Sequence, residues 1–157
     1  MPEDDDAAAR ARAHEDAREG KSPSTQAGEF VREEIEHVRE GKHGARNPKQ
    51  AIAIGLSKAR RAGVNLPPPG AQSSPEVRKK AAQDRRRGRR GLKPSRARSR
   101  AISKALRRES SGTASRKALS RQARRTARRR GPAARRRSAR HAARTRRHTR
   151  HGARRSS

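Results

Sequence analysis

The chain has 157 residues, 27% of them hydrophobic and 38% charged, with one Phe, no Trp, no Tyr and no Cys. This excludes an aromatic core, a disulfide framework and a thiolate metal site, and it places the chain among compositions that bury too little apolar surface to offset ordering entropy. The formal net charge of +30 is lopsided: residues 1–69 hold 12 basic and 12 acidic side chains, whereas 33 basic and 3 acidic ones (Glu76, Asp84, Glu109) follow, so the whole net charge lies after Pro69.

Residues 1–20 read as an acidic and charged leader, disordered or a frayed helix. The cluster Glu3 to Asp6 is followed by Ala, Arg and Glu without a large apolar residue, so no docking by hydrophobic burial is expected. The leader lacks the apolar region of a secretory signal, and no window approaches the ~18 apolar residues of a membrane span.

Residues 21–69 carry the punctuation of folded structure. Ser22 and Pro23 suit the N-cap and first position of a helix over about 23–40, in which Ala27, Phe30, Val31, Ile35 and Val38 form an apolar stripe and Gly41 is the stop. Asn47, Pro48 and Gln50 start a second helix over about 48–62, with Ala51, Ile52, Gly55, Leu56 and Ala59 on one face, Lys49, Lys58, Arg60 and Arg61 on the other, and Gly63 at its end. Together they predict a short helical hairpin. Its few large apolar side chains fall short of the cost of ordering it alone, so the hairpin is expected to form a homodimer or to dock on a protein partner through Phe30, Val31, Ile35, Val38, Ile52 and Leu56.

Residues 70–157 are rich in Arg and Ala and read as a basic disordered tail, with isolated helices favoured over about 96–109 and 114–130. Repulsion between neighbouring guanidiniums opposes helix until counter-charge arrives. The fold class expected is therefore all-α elements only, a hairpin within a largely disordered chain.

A polyanion is the natural partner of such a tail. Duplex DNA carries one charge per ~1.7 Å, so +30 matches about 50 Å of duplex, about 15 base pairs. Of the 33 basic residues in the tail 28 are Arg, which suits bidentate phosphate contacts. The tail has no aromatic residue to stack single-stranded bases, so duplex DNA is favoured and RNA is the alternative nucleic acid. The phosphate-binding candidates are the clustered guanidiniums of Arg85, Arg86, Arg87, Arg89, Arg90, Arg124, Arg125, Arg128, Arg129, Arg130, Arg135, Arg136, Arg137, Arg146 and Arg147. A helix-turn-helix reading with Lys49, Gln50, Lys58, Arg60 and Arg61 facing DNA is disfavoured, because such domains need a third helix for their core.

Signals for catalysis are weak. Gly20-Lys21-Ser22 lacks the upstream glycine of a phosphate-binding loop. His14, His37, His43, His141, His148 and His151 offer no Cys partner and no helical i, i+4 pair, so no metal or cofactor is expected. Glu29, Glu33, Glu34, Glu36 and Glu40 read as the solvated face of the first helix.

The stretch KSPSTQAGEFVREEIEHVREGKHGARNPKQAIAIGLSKARRAGVNLPPP resembles a family of small basic bacterial proteins of unknown function, often labelled DNA-binding or plasmid stabilisation proteins. The absence of Cys fits a cytoplasmic protein, and the resemblance implies a bacterial, nucleoid-associated setting. The expected function is sequence-non-specific binding of duplex DNA without enzymatic activity. The alternatives are a protein-interaction adaptor with an electrostatic tail and an RNA- or ribosome-associated protein.

Overall fold

Three helices begin on the same local chemistry. Ser22-Pro23, Asn47-Pro48 and Ser74-Pro75 each place a polar cap before a proline, and the cap oxygens accept from the backbone N–H of Thr25 (3.3 Å), Gln50 (3.0 Å) and Val77 (3.4 Å). The cap satisfies a donor that the helix leaves orphaned, and the proline has no donor to lose at that position. In the computed structural model, which describes residues 6–93 and 95–155, these helices are α2 (Pro23–Arg39), α3 (Pro48–Arg61) and α4 (Pro75–Arg89). They are preceded by α1 (Ala7–Arg18) and followed by α5 (Arg96–Leu106), a 3₁₀ turn (Ser111–Ala114) and α6 (Arg116–Arg155). Gly131, at φ 72°, breaks α6 just before Pro132. Of the acidic leader, Glu3, Asp4 and Asp5 lie outside the described residues.

The α2 and α3 contact is the most extensive between helices, and small residues make it close. Ala51, Gly55 and Ala59 recur every fourth position and are all buried. A Cβ at Gly55 would stand 2.6 Å from Val31 Cα, so at this crossing the two backbones touch. Two apolar clusters flank it. The first joins Ala27 and Phe30 to Ala59, Val64 and Leu66, and is closed by Ala9 and Ala13 of α1. The second joins Val38, Ala45 and Ala51, with Ile35 at its edge, and is closed by Ala114 of the 3₁₀ turn.

The expectation of a largely disordered chain with one hairpin is thus overturned. The leader docks through Ala9 and Ala13, one helical turn apart and nearly inaccessible; alanine adds little hydropathy but permits close approach, so it packs where a larger side chain would not fit. The tail is helical as well. α4 lies against α3 through a polar seam: Asp84, 1% exposed, accepts from Ser57 Oγ at 2.6 Å and from Lys80 Nζ at 2.6 Å. Ala81 is buried beside it, and a Cβ at Gly88 would collide with the Arg60 carbonyl.

The segment between α5 and the 3₁₀ turn is tied to the connection between α2 and α3. Leu106 O accepts from Gly44 N (2.9 Å), Ser110 O from Ala45 N (3.1 Å), and Ala114 O from Arg39 Nε (3.0 Å). A docking partner is therefore not required to complete the hairpin core, because the chain completes it with its own α1, its own 64–66 segment and its own 3₁₀ turn. Among the described residues no helix is long and apolar enough to cross a membrane.

Candidate nucleic-acid interface

The carboxylates of the chain are largely engaged close to the α1 to α4 body. Arg12 reaches from α1 to Glu29 Oε2 and Glu33 Oε2, both at 2.6 Å. Lys58 bridges Glu34 (2.9 Å) and Asp6 (3.0 Å), and Lys21 bridges Asp16 (2.8 Å) and Glu19 (2.6 Å). The acidic face of α2 is therefore only partly solvated: Arg12 of α1 lies over Glu29 and Glu33 and Glu34 is 1% exposed, while Glu36 and Glu40 remain open to solvent. Of the three carboxylates after Pro69, Asp84 pairs with Lys80 and Glu109 lies 3.7 Å from Arg46. Glu76 sits in the first turn of α4, where its own backbone N–H and the Ser74 hydroxyl hold its pKa below the ordinary value.

The guanidiniums selected from the sequence fall into three groups. On α4 and just beyond it, Arg86, Arg89 and Arg90 are exposed while Arg85 and Arg87 are half-buried. An open groove of about 190 Å³ is lined there by Gln83, Arg86, Arg87, Arg90 and Leu92. On the first part of α6, Arg124, Arg125, Arg128, Arg129 and Arg130 are exposed, and beyond the break at Gly131 so are Arg135, Arg136, Arg137, Arg146 and Arg147.

Helical spacing sorts the α6 group further. At about 100° per residue, Lys117, Arg121, Arg124, Arg125 and Arg128 fall within an arc of about 100° and extend about 16 Å along the axis. The other face carries Leu119, Gln122, Ala123, Thr126 and Ala127, interrupted by Arg116 and Arg130, so the cations are concentrated on the first face without being confined to it. Lys117 and Arg121 are missed when adjacent arginines are sought, and their 3.6-residue spacing from the rest is the signal that finds them. A second groove, about 280 Å³, lies between this face and the start of α3, lined by Pro48, Ala118, Arg121, Gln122 and Arg125. Two guanidiniums thus stand beside a helix N-terminus, whose dipole is also positive.

The basic face of α3 has a different fate. Lys58 is ion-paired to Glu34 and Asp6, and its pKa is nonetheless raised: burial lowers it, and the two carboxylates more than restore it. The Arg60 pKa is lowered, chiefly by burial, with Asp84 opposing and Arg85 adding to the shift. Gln50 Oε1 accepts from Arg46 N at 2.6 Å. α3 is packed between α2 and α4, which removes Lys58 and Arg60 from any groove-reading role. Of the proposed partner surface, Phe30 and Val38 are buried within the chain, and Val31, Ile35, Ile52 and Leu56 are partly buried.

Two histidines that look isolated in the sequence converge. His37 of α2 is 3% exposed, and its ring centroid lies 6.2 Å from that of His43. One ligand atom from each of Glu34, His37 and His43 lies within 4.8 Å of the other two. His14 and His141 are exposed elsewhere; the side chains of His148 and His151 lie outside the described part.

Residues 20–69 match a family of unknown function (DUF6496). Comparison with curated proteins and with solved structures finds no match.

Proposed function

We propose that the protein binds the phosphate backbone of duplex DNA without sequence preference, and that it does so as a non-enzymatic component of a bacterial nucleoid. The observation that carries this reading is the stripe Lys117, Arg121, Arg124, Arg125 and Arg128. It sits on one helical face of a segment with no carboxylate between Arg116 and Arg155. Guanidiniums held on a helix lose less conformational entropy on contacting phosphate than guanidiniums on a coil. Five cations over about 16 Å are also commensurate with the charge spacing of a duplex. The α4 group, Arg86, Arg89 and Arg90, would add contacts on a second strand or a second duplex.

The test is fluorescence anisotropy of the full chain with a 20-base-pair duplex between 50 and 200 mM salt. Six to ten phosphate contacts require affinity to fall by ~10³ to 10⁵ across that range. Unrelated duplex sequences should bind equally. A salt-insensitive affinity, or clear preference for a structured RNA over every duplex, would refute the proposal.

A further inference from the structure

We propose that Glu34, His37 and His43 form a binding site for a single zinc ion, which clamps the end of α2 to the loop that follows it. Three observations converge. The first is the orientation of His43. Its Nδ1 lies 3.0 Å from the Gly44 carbonyl, and a carbonyl can only accept, so Nδ1 is the donor and Nε2 is the nitrogen left to face Glu34. That pairing of one ring nitrogen with a backbone carbonyl is the usual means of fixing a metal-binding histidine.

The second is what Nε2 meets. It stands 3.3 Å from Glu34 Oε1, and Glu34 is 1% exposed. Neither Glu34 oxygen has a well-aligned hydrogen-bond partner, although Lys58 Nζ is ion-paired to Oε2, and neither has His37 Nε2, although Glu33 Oε1 lies 3.4 Å from it. A carboxylate oxygen and an imidazole nitrogen facing each other off-axis are costly when buried, unless a cation sits between them. Ligands about 2.0 to 2.1 Å from a tetrahedral zinc stand ~3.3 to 3.4 Å apart; the Glu34–His43 pair is already at 3.3 Å, and all three ligand atoms lie within 4.8 Å of one another, so small side-chain rotations close the set on the ion.

The third is preorganisation. The loop holding His43 is fixed from outside: Gly44 and Ala45 donate to the Leu106 and Ser110 carbonyls, and a Cβ at Gly44 would collide with the Glu109 carbonyl oxygen. Lys58 occupies the other oxygen of Glu34, Oε2, at 2.9 Å. This leaves Oε1 for the metal and orients the carboxylate. Two imidazoles and one carboxylate suit zinc better than magnesium or calcium, which prefer all-oxygen sites. Three protein ligands leave a fourth position for water, on the side of His43, which is less buried than the other two.

The experiment is calorimetric titration of zinc chloride into chelator-treated full-length protein at pH 7.5, with thermal unfolding followed in parallel. One equivalent should bind and raise the unfolding midpoint. His43→Ala and Glu34→Gln should each weaken binding by more than the ~10- to 100-fold typical of losing an outer partner. His14→Ala and His141→Ala should leave it unchanged. Because Glu34 is buried and its substitution also disturbs the fold, His43→Gln serves as a second probe: it should keep the helical circular dichroism and the metal-free midpoint while losing the zinc-dependent rise. Absence of a one-to-one event, or binding that survives His43→Ala and His43→Gln, would overturn the proposal and leave the cluster as a histidine and carboxylate ion-pair network.

Discussion

Gly28 and Gly55 lie on facing helices, and replacing each with alanine should have opposite effects. Alanine is worth ~1 kcal/mol more than glycine in a helix interior. At Gly28, exposed on α2 with nothing within 4 Å of a built Cβ, that gain is unopposed, and Gly28→Ala should stabilise by ~0.5 to 1 kcal/mol. At Gly55 the same methyl would meet Val31 Cα at 2.6 Å, Val31 N at 2.9 Å and the Phe30 carbonyl at 3.0 Å. These are backbone atoms that no rotamer can move aside. Restoring an ordinary contact of 3.4 Å requires α2 and α3 to part by ~0.8 Å, along the most extensive helix contact in the chain. Overpacking of this kind costs ~1 to 3 kcal/mol, and with rigid neighbours the upper end applies. After the helix gain, Gly55→Ala should lose ~2 kcal/mol. In thermal unfolding by circular dichroism, at ~2 to 4 °C per kcal/mol for a chain of this size, the midpoint should fall by ~4 to 8 °C for Gly55→Ala and rise by ~1 to 4 °C for Gly28→Ala. If both variants rise together, the backbones of α2 and α3 do not touch at this crossing and the packing argument is wrong.

Asp84→Ala should cost ~1 to 3 kcal/mol by leaving the Ser57 hydroxyl without its acceptor, and hydrogen exchange should quicken over residues 75–89 before it does over α2. The Lys58 pKa is raised above its ordinary value of 10.5 by Glu34 and Asp6 against the effect of burial. A raised folded pKa contributes stability that is complete below the unfolded value and lost as pH climbs through the folded one. The unfolding midpoint should therefore drop above pH 10.5, with part of that drop missing from Lys58→Met. Changing Lys117, Arg121, Arg124, Arg125 and Arg128 together to Gln should reduce the slope of log affinity against log salt by ~0.9 per lost phosphate contact, up to ~4.5 in total. An unchanged slope in the same anisotropy assay would move the contact surface off this face of α6.

The beginnings and ends of the central helices were legible because they rest on local chemistry. Caps and prolines at Ser22-Pro23 and Asn47-Pro48, with the stops at Gly41 and Gly63, place α2 and α3 within one residue of their observed bounds. The same code is written at Ser74-Pro75 and announces α4, but a search for large apolar side chains passes over it. Val77, its one large aliphatic, is 51% exposed, and the helix docks instead through Ala81, Gly88 and the buried Asp84. Composition misled in the same way for α1: Ala9 and Ala13 count for little on a hydropathy scale, yet they close the core over Phe30. The fate of Glu34 was not readable at all. A carboxylate on a helix looks solvated until it is known which cations and which neighbouring helix stand over it. Likewise His37 and His43 are six residues apart, off any helical period, and only the turn at Gly41 brings their rings together.

The stitching of residues 106–114 to the loop after α2 uses backbone acceptors alone: the carbonyls of Leu106, Ser110 and Ala114, spaced four apart. Carbonyls are indifferent to the side chain that carries them. Apart from Ala114, whose methyl is buried, the residues that supply these carbonyls can be exchanged for others without loss of the bond, whereas on the donor side Gly44 has no room for a Cβ and Arg39 donates through its side chain. What cannot change is the spacing, because one residue inserted or deleted between these carbonyls would put at least one of the three out of phase with Gly44, Ala45 and Arg39. Over this stretch the contact depends on the length of the connection more than on the side chains that fill it.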